Sequence, residues 1–192
     1  MRQEERSSTT QATLIKGGRR AFLENGYAGT STPALAKATG VSRGALYHHY
    51  ADKKALFQAV VESIQTDVFN AIEDRAVAAH DPIEGLKLGS RAFLEEASKP
   101  EFVRIVMMDG PSVLGLEEWR AIERKTGVQS LIEGLAYAVD QNAIDIPSVE
   151  IMASLLSGAL NEGILSIYAE GMPIEDVYHN VCRLIDGLAK RP

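Results

Sequence analysis

The chain has little of what several classes of protein require. Its 192 residues contain a single cysteine, Cys182, so no disulfide bond can form within one chain. A lone cysteine fits the reducing cytoplasm, where we expect the protein to act. No run of about eighteen apolar residues occurs, and the N-terminal segment MRQEERSSTTQ lacks the apolar stretch of a secretory signal. We therefore expect no membrane partner.

The sequence after residue 55 also lacks the short motifs of common active sites. It contains no Glu-x-x-His pair, no nucleophile motif and no phosphate-binding glycine loop. The adjacent His48 and His49 would point about 100° apart on a helix, so they could not easily share a metal ion. We expect no catalytic residue, no metal and no cofactor. A helical enzyme that uses a basic N-terminal part only for docking is the less favoured alternative.

Positive charge is scarce overall but concentrated near the N-terminus. The formal net charge of the chain is −6. Residues 1–55 contain nine Lys or Arg and four Asp or Glu, a net charge of +5. The remaining residues contain eleven Lys or Arg and twenty-two Asp or Glu, a net charge of −11. This asymmetry indicates a basic module that attracts phosphates, attached to an acidic part that keeps the chain soluble.

Apolar residues recur with a helical period in almost every segment, and no segment indicates a strand. We predict an all-α protein of nine helices, divided into a head of residues 1–55 and a body of residues 56–192. A long helix should open the body, with a core stripe of Leu56, Val60, Ile64, Val68 and Ile72. A later helix should begin at Pro100 and end at Asp109-Gly110-Pro111, and another should span residues 116–141.

The most informative part of the sequence is residues 30–57. Thr32 can cap a short helix, and Gly40 can end it with a left-handed turn. Ser42 can then cap a second helix over Arg43 to His49. The outer face of this second helix carries hydrogen-bond donors or small residues: Arg43, Gly44, Tyr47 and His48. Two short helices joined by a tight turn are typical of a helix-turn-helix that enters the major groove of double-stranded DNA.

These residues resemble the signature of TetR-type (tetracycline-repressor-like) transcriptional regulators. The resemblance covers about residues 10–57, and its glycine, tyrosine and lysine spacings agree together: Gly26-Tyr27, Thr30-Ser31, Leu35-Ala36, Gly40-Val41-Ser42, Leu46-Tyr47-His48-His49-Tyr50, Lys53 and Leu56-Phe57. It implies a homodimeric repressor that releases its operator DNA when a small-molecule effector enters the body.

The resemblance also implies roles for single residues at the DNA. Contacts to phosphates are implied for Thr32, Tyr47, His49 and Lys53, and contacts to bases are implied for Arg43, Gly44 and His48. Ser42, at the start of the recognition helix, completes the candidate DNA-binding set. An arginine at the start of such a helix can donate two hydrogen bonds to guanine, which is the commonest base-specific contact.

Two positions depart from the family pattern. Pro33 stands where some members place a base-reading side chain, so base recognition should depend more heavily on Arg43. Gly17 and Gly18 stand where alanines are usual. Each costs about 1 kcal/mol in helix propensity and would let a neighbouring helix approach closely.

A small-molecule pocket is expected among bulky or adaptable side chains of the body: Phe93, Phe102, Met107, Met108, Trp119 and Tyr137. An apolar or amphipathic inducer would suit such a lining. A regulator controlled by a partner protein, without a small-molecule pocket, remains an alternative.

The last two helices indicate a dimer interface. Small residues are frequent over 153–163, and the final helix carries an apolar seam at heptad-like spacing. We interpret these features as a four-helix interface, two helices from each subunit, rather than internal core. The residues assigned to it are Ser154, Ser157, Gly158, Val177, Val181, Leu184 and Leu188.

Overall fold

The computed structural model describes residues 2–190, with side chains from residue 7 onward. These residues form ten α-helices and one π-helical segment: α1 (Arg2–Gly29), α2 (Thr32–Thr39), α3 (Arg43–His49), α4 (Lys53–Ala76), α5 (Pro82–Ala97), the π-helical segment (Phe102–Asp109), α6 (Gly110–Leu114), α7 (Leu116–Arg124), α8 (Gly127–Asp140), α9 (Val149–Glu170) and α10 (Ile174–Asp186). The all-α prediction is confirmed. The count is ten rather than nine because Thr126, at φ −125° and ψ −98°, separates α7 from α8.

The helical run that begins near residue 100 does not end at Asp109-Gly110-Pro111, so that prediction is wrong. Gly110 has helical angles, φ −50° and ψ −60°, and α6 follows the π-helical segment directly. Pro111 lies in the first turn of α6 but inside this continuous run, so it has no N–H to donate to a carbonyl of the preceding turn. The run ends instead at Gly115, whose φ of +92° favours glycine.

The described residues divide into two compact units. The head unit contains the residues up to Ile64 together with Pro100–Trp119. The body unit contains Gln65–Lys99 together with the residues from Arg120 onward. The head unit is therefore larger than the head of residues 1–55 expected from the sequence, because it also takes in the N-terminal half of α4 and the π-helical segment.

An aromatic and aliphatic core holds the head unit together. Phe22 and Phe57 are fully buried, and their ring centroids lie 5.1 Å apart in an edge-to-face arrangement. The ring of Tyr27 lies 5.1 Å from that of Phe57. Buried aliphatic side chains from α1, α2, α3 and α4 complete this core: Leu14, Leu35, Leu46, Leu56, Val60 and Val61. Edge-to-face aromatic pairs add stabilisation beyond the area that they bury.

In the body unit, α5 packs against α8, α9 and α10. Its Arg91 binds Glu175 of α10 through two hydrogen bonds of 2.7 and 2.5 Å, and it binds Glu95 at 2.6 Å. Apolar side chains fill the space between these helices, among them Leu94, Leu135, Leu160, Ile164 and Ile185. The predicted stripe on α4 is also buried along its whole length, from Leu56 to Ile72.

Among the described helices, α9 is the one that is long and apolar enough to cross a membrane by length and composition. Polar residues Asn161 and Glu162 interrupt its apolar sequence, which is why the sequence indicated no span. One side of the helix is buried within the body unit, through Ala153, Leu156, Leu160, Gly163 and Ile164. The same length and composition fit a core helix packed in this way.

Side chains cap the two short helices, with one change from expectation. Ser31 Oγ accepts a backbone N–H of the first turn of α2 at 3.3 Å, so Ser31 is the cap. The assignment of this cap to Thr32 is wrong, since Thr32 is the first helical residue. Ser42 caps α3 as predicted, with its Oγ accepting a backbone N–H at 3.1 Å.

Gly17 and Gly18 lie where other helices cross α1 closely. A Cβ on Gly17 would lie 2.1 Å from Cγ2 of Thr39, and a Cβ on Gly18 would lie 2.9 Å from Cγ2 of Val60. The close approach inferred from the sequence is thus confirmed. Thr39 cannot easily rotate away, because its Oγ1 donates to the carbonyl of Leu35 at 2.8 Å.

Replacement of Gly17 should therefore destabilise the head unit. We expect Gly17→Ala to lower the free energy of unfolding by about 1–3 kcal/mol, because the new methyl group overpacks the α1–α2 contact. Urea denaturation measures this change. The matched control is Gly44→Ala in the same unit, where no atom lies within 4 Å of the added Cβ; it should be neutral or stabilising by up to about 1 kcal/mol. Similar losses in both variants would contradict the steric explanation.

Candidate nucleic-acid interface

The short helix α3 buries one side and exposes the other. Leu46 is fully buried and anchors the helix to the core of the head unit. Most of the remaining side is exposed and carries the predicted groove-facing residues, namely Ser42, Arg43, Gly44, Tyr47 and His48. No atom lies within 4 Å of a Cβ placed on Gly44, so another molecule could approach the backbone closely there. His49 is half-buried and its ring contacts that of His48 edge to face, with centroids 5.5 Å apart.

Tyr47 connects α3 with the start of α2. The side chains of Thr32 and Arg43 lie beside the Tyr47 phenol and lower its pKa, because donors next to the phenol oxygen stabilise its ionised form. The ring itself is 46% exposed. Three of the predicted DNA-contacting residues are thus brought together on one exposed surface. A hydroxyl, a phenol and a guanidinium so arranged offer several donors to a phosphate or a base edge.

Lys53 is placed differently from its predicted role as a free phosphate ligand. Its Nζ donates to the carbonyl of Tyr27 at 2.8 Å and to the carbonyl of Thr30 at 2.9 Å. The ammonium also lies 4.0 Å from the centroid of the Tyr27 ring. Two of its three donors are therefore engaged within the head unit, where they satisfy carbonyls at the end of α1.

The π-helical segment supplies a head contact that the sequence analysis missed. Asp109 Oδ2 accepts the backbone N–H of Tyr27 at 3.0 Å. Gly26, just before, has φ +70° and interrupts α1. The sequence analysis assigned Asp109 only to the end of a helix, next to Gly110-Pro111. An acidic residue beside a Gly-Pro pair was the available signal, but its partner lies 82 residues away.

Lys54 provides a second missed contact within the head unit. Its Nζ donates to the carbonyl of Leu114 at 3.2 Å and pairs with Glu118 at 3.2 Å. Both side chains of the ion pair are partly exposed, so the pair contributes modestly.

The predicted pocket residues differ in exposure and are divided between the two units. Met108 and Tyr137 are each 56% exposed, so neither is enclosed within the described chain. Phe102 is buried, Phe93 and Met107 are half-buried, and Trp119 is half-buried with its indole N–H bonded to the carbonyl of Val106 at 2.8 Å. Phe102, Met107, Met108 and Trp119 belong to the head unit, and Phe93 and Tyr137 belong to the body unit.

A concavity of about 600 Å³ does lie in the head unit, at residues that the sequence analysis did not single out. Arg19 crosses it, donating to Glu101 at 3.0 and 2.9 Å and to the Ser63 hydroxyl at 3.3 Å. Its lining is completed by Ala12, Ile15, Lys16, Arg20 and Leu23. Among the described side chains, no group of three or more His, Cys, Asp or Glu is placed to hold a metal ion.

The seam predicted on α10 is divided between two surfaces. Val181 is only 4% exposed, and Val177 packs so closely on Gly163 that a Cβ there would lie 2.6 Å from its Cγ1. Val181 therefore belongs to the internal core, which corrects its assignment to a dimer interface, whereas Val177 is half-buried. Leu184 is 51% exposed, whereas Leu188 is half-buried.

On α9, the predicted Ser154 and Gly158 are exposed and Ser157 is half-buried. Large apolar residues that the prediction omitted are exposed on the same helix or just after it: Ile151, Leu155, Leu165, Tyr168 and Met172. Ile151 and Leu155 are four residues apart, and Leu165, Tyr168 and Met172 follow one another at spacings of three and four, which was a signal in the sequence. The prediction assigned the small residues of this helix to the interface instead. The exposed apolar surface is thus larger than predicted and differs in its members.

Comparison with known proteins agrees with this architecture. Residues 14–60 match the family described as bacterial regulatory proteins, tetR family, and residues 83–190 match the tetracyclin repressor-like C-terminal domain. The HTH-type transcriptional repressor AcnR of Corynebacterium efficiens is 30% identical over 187 residues, covering 93% of this chain and 92% of the relative. AcnR of Corynebacterium glutamicum is 28% identical over 193 residues, covering 97% and 96%.

Solved structures give the same result over the whole chain. The crystal structure of a TetR-family transcriptional regulator from Pectobacterium atrosepticum has a TM-score of 0.76 and 33% sequence identity, and the match covers 98% of both chains. A structure of a TetR-family regulator from Mesorhizobium loti has a TM-score of 0.78 at 21% identity, which supports the fold. With an N-terminal and a C-terminal family match, and a relative that is 30% identical along nearly its full length, the chain belongs to the TetR family of DNA-binding transcriptional regulators.

Proposed function

We propose that this protein is a homodimeric repressor that binds a roughly palindromic operator through α2 and α3 and leaves it when a small molecule binds. The observation that carries the operator part is the clustering of the exposed Arg43 and Tyr47 with the half-buried Thr32, beside the open backbone of Gly44. The excess of basic residues in residues 1–55 supplies the long-range attraction to phosphates.

In this proposal, Arg43 reads a base and its neighbours orient it. The guanidinium stands at the first position of α3, the end of a recognition helix that enters the major groove. Tyr47 and Thr32 hold phosphate oxygens, which fixes the register of α3 on the duplex. Lys53 acts indirectly, since its bonds to Tyr27 and Thr30 order the chain just before α2.

Footprinting over the region upstream of the protein's own gene tests operator binding. We expect protection of two half-sites about 34 Å apart, one helical turn, by a protein that sediments as a dimer. Protection of an asymmetric site by a monomer at full affinity would refute the proposal.

Arg43→Ala should relax base preference more than it weakens general binding. We expect operator affinity to fall by about 1–3 kcal/mol, with a much smaller loss on random duplex, because a base contact adds to specific binding only. Fluorescence anisotropy with both duplexes measures the difference. Arg20→Ala is the control, since that arginine is also exposed and pairs with Glu24 on α1. Equal losses on both duplexes for Arg43→Ala would make it a phosphate contact.

Lys53→Met should lower the stability of the head unit. The substitution leaves the carbonyls of Tyr27 and Thr30 without their donor, which costs about 1–3 kcal/mol in free energy of unfolding. Thermal unfolding measures the loss. Lys16→Met removes the same charge from an exposed lysine of the same unit and should change stability little. A different result would restore a direct phosphate contact for Lys53. In that case Lys53→Met would keep its stability, and the slope of log K against log salt concentration would decrease by about one.

The homodimer is proposed to form through the exposed apolar faces of α9 and α10. Ile151 and Leu155 are 65% and 63% exposed, and Leu184 is 51% exposed. A patch of this kind on a soluble chain commonly marks a protein contact. Pairing two helices from each subunit would bury it in a four-helix arrangement.

Leu184→Arg should convert the dimer to a monomer and weaken operator binding, although Leu184 lies outside the head unit. Burying an unpaired charge at an apolar interface costs several kcal/mol. Sedimentation velocity and anisotropy report the two effects. Val77→Arg is the matched control, since Val77 is apolar, lies in the body unit and is 84% exposed; it should stay dimeric. A dimeric Leu184→Arg variant with normal operator affinity would place the interface elsewhere.

The effector part of the proposal is supported by polar groups inside the body unit. Gln65 is 5% exposed and accepts a hydrogen bond from Thr126. Asn161 donates to Glu123 at 2.5 Å, and Ser130 donates to Glu73 at 2.9 Å. Polar groups that are buried or half-buried in this way would constrain which ligands can enter the body unit, because each lost internal bond must be replaced.

A thermal-shift screen of small metabolites separates this proposal from control by a partner protein. A ligand-responsive body gains stability with the logarithm of ligand concentration once that concentration exceeds Kd. The same ligand must bind more weakly when operator is present, because linkage requires the coupling to be reciprocal. A ligand that binds equally with and without operator would show a pocket without a switch.

A further inference from the structure

The π-helical segment is held in its register from outside by Trp119. Trp119 Nε1 donates to the carbonyl of Val106, inside the segment, at 2.8 Å. The indole also covers Gly110, where an added Cβ would lie 2.8 Å from Cδ1. Eight π-helical residues are unusual, since such segments are commonly a single turn and often lie at functional sites.

At the end of the segment, Asp109 contacts the turn that leads into the helix-turn-helix. Gly26 leaves helical conformation at φ +70°, so the next backbone N–H, that of Tyr27, needs an acceptor outside α1. Asp109 Oδ2 provides it at 3.0 Å. The carbonyl of the same residue, Tyr27, is bound by Lys53. Both polar backbone groups of Tyr27 are thus fixed by side chains from other elements.

We propose that Asp109 and Trp119 are positioning residues for operator binding. Trp119 maintains the π-helical register, this register places Asp109 on Tyr27, and the bond fixes the path of the chain from α1 into α2. The proposal rests on the operator binding proposed above. A shift of the segment by one residue would rotate Asp109 by about 100° around the helix axis and remove it from Tyr27. Neither residue belongs to the candidate DNA-contacting set.

A pair of variants at Asp109 separates the acceptor from the charge. Asp109→Asn and Asp109→Leu both remove one negative charge, but only asparagine keeps an oxygen that can accept the Tyr27 N–H. We expect Asp109→Leu to lower operator affinity about tenfold and Asp109→Asn to retain most of it, with similar affinities of the two variants for random duplex. Hydrogen exchange of the Tyr27 amide should accelerate in the leucine variant only.

Trp119→Phe tests the same chain of contacts from its other end. Phenylalanine retains a ring over Gly110 but cannot donate to the carbonyl of Val106. We expect faster exchange of the Tyr27 amide and a loss of operator affinity in the same direction, in a protein that still unfolds cooperatively. This variant also keeps the proposal testable if Asp109→Leu fails to fold.

Three results would overturn the proposal. Equal operator affinities of Asp109→Leu and Asp109→Asn would show that the acceptor positions nothing. An unchanged Tyr27 exchange rate in Trp119→Phe would show that Trp119 does not hold the register. Normal operator affinity despite faster Tyr27 exchange would show that the bond has no role at the DNA. Failure of the unmodified protein to bind any upstream duplex would instead refute the proposed function, and this inference with it.

Discussion

The structure of the head unit depends on how the backbone N–H and C=O groups at the break in α1, near Gly26, find hydrogen-bond partners. A helix that ends inside a compact unit leaves backbone groups without partners, and each would cost free energy if left so. Here the hydroxyl of the buried Thr30 donates to the carbonyl of Gly26 at 2.8 Å. Lys53 binds the carbonyls of Tyr27 and Thr30, and Asp109 takes the Tyr27 N–H. Side chains from the turn after α1, from α4 and from the π-helical segment thus fix the position from which α2 starts.

The internal contacts of Lys53 affect which basic residues of the head unit are candidates for direct DNA contact. Lysine in the first turn of α4 is unfavourable for the helix dipole, so its position needs an explanation. The two carbonyls at 2.8 and 2.9 Å account for the position of Lys53 without DNA. Arg43, by contrast, is exposed and lies beside Tyr47 at the surface. In the proposed function, direct recognition therefore concentrates on α3, and Lys53 contributes by ordering the chain before α2.

Local signals predicted the fold well where one residue type decides the outcome. Glycine at positive φ ended α2 at Gly40, as the sequence indicated. The core positions on α4, four residues apart, were also correct, because a helix with one apolar stripe has only one way to bury it. The prediction at Gly110-Pro111 was wrong because Gly110 keeps helical angles and the run continues through Pro111. The indole of Trp119 covers Gly110, and no local pattern reveals this contact.

The site was predictable in its type and less so in its individual residues. Donors on α3 could be assigned from the motif, since the motif itself sets which side faces outward. On α10 the apolar residues form one broad face, and spacing alone could not show that Val181 near its centre is buried while Leu184 at its edge is exposed. The same limit applied to Met108 and Tyr137, whose bulk suggested a pocket and whose surroundings expose them. Burial depends on neighbours that are distant in sequence.

Specificity at DNA then follows from the small size of α3. Seven residues, of which Arg43, Gly44 and His48 are candidates for base contact, can distinguish only a few base pairs. A single head would therefore bind mainly through phosphates, with the weak discrimination and strong salt dependence of such binding. Two heads in fixed symmetry double the number of bases read and require a defined spacing between half-sites. In the proposed dimer, the apolar surface around Leu155 and Leu184 thus contributes to sequence recognition as directly as Arg43 does, because it sets the distance between the two recognition helices.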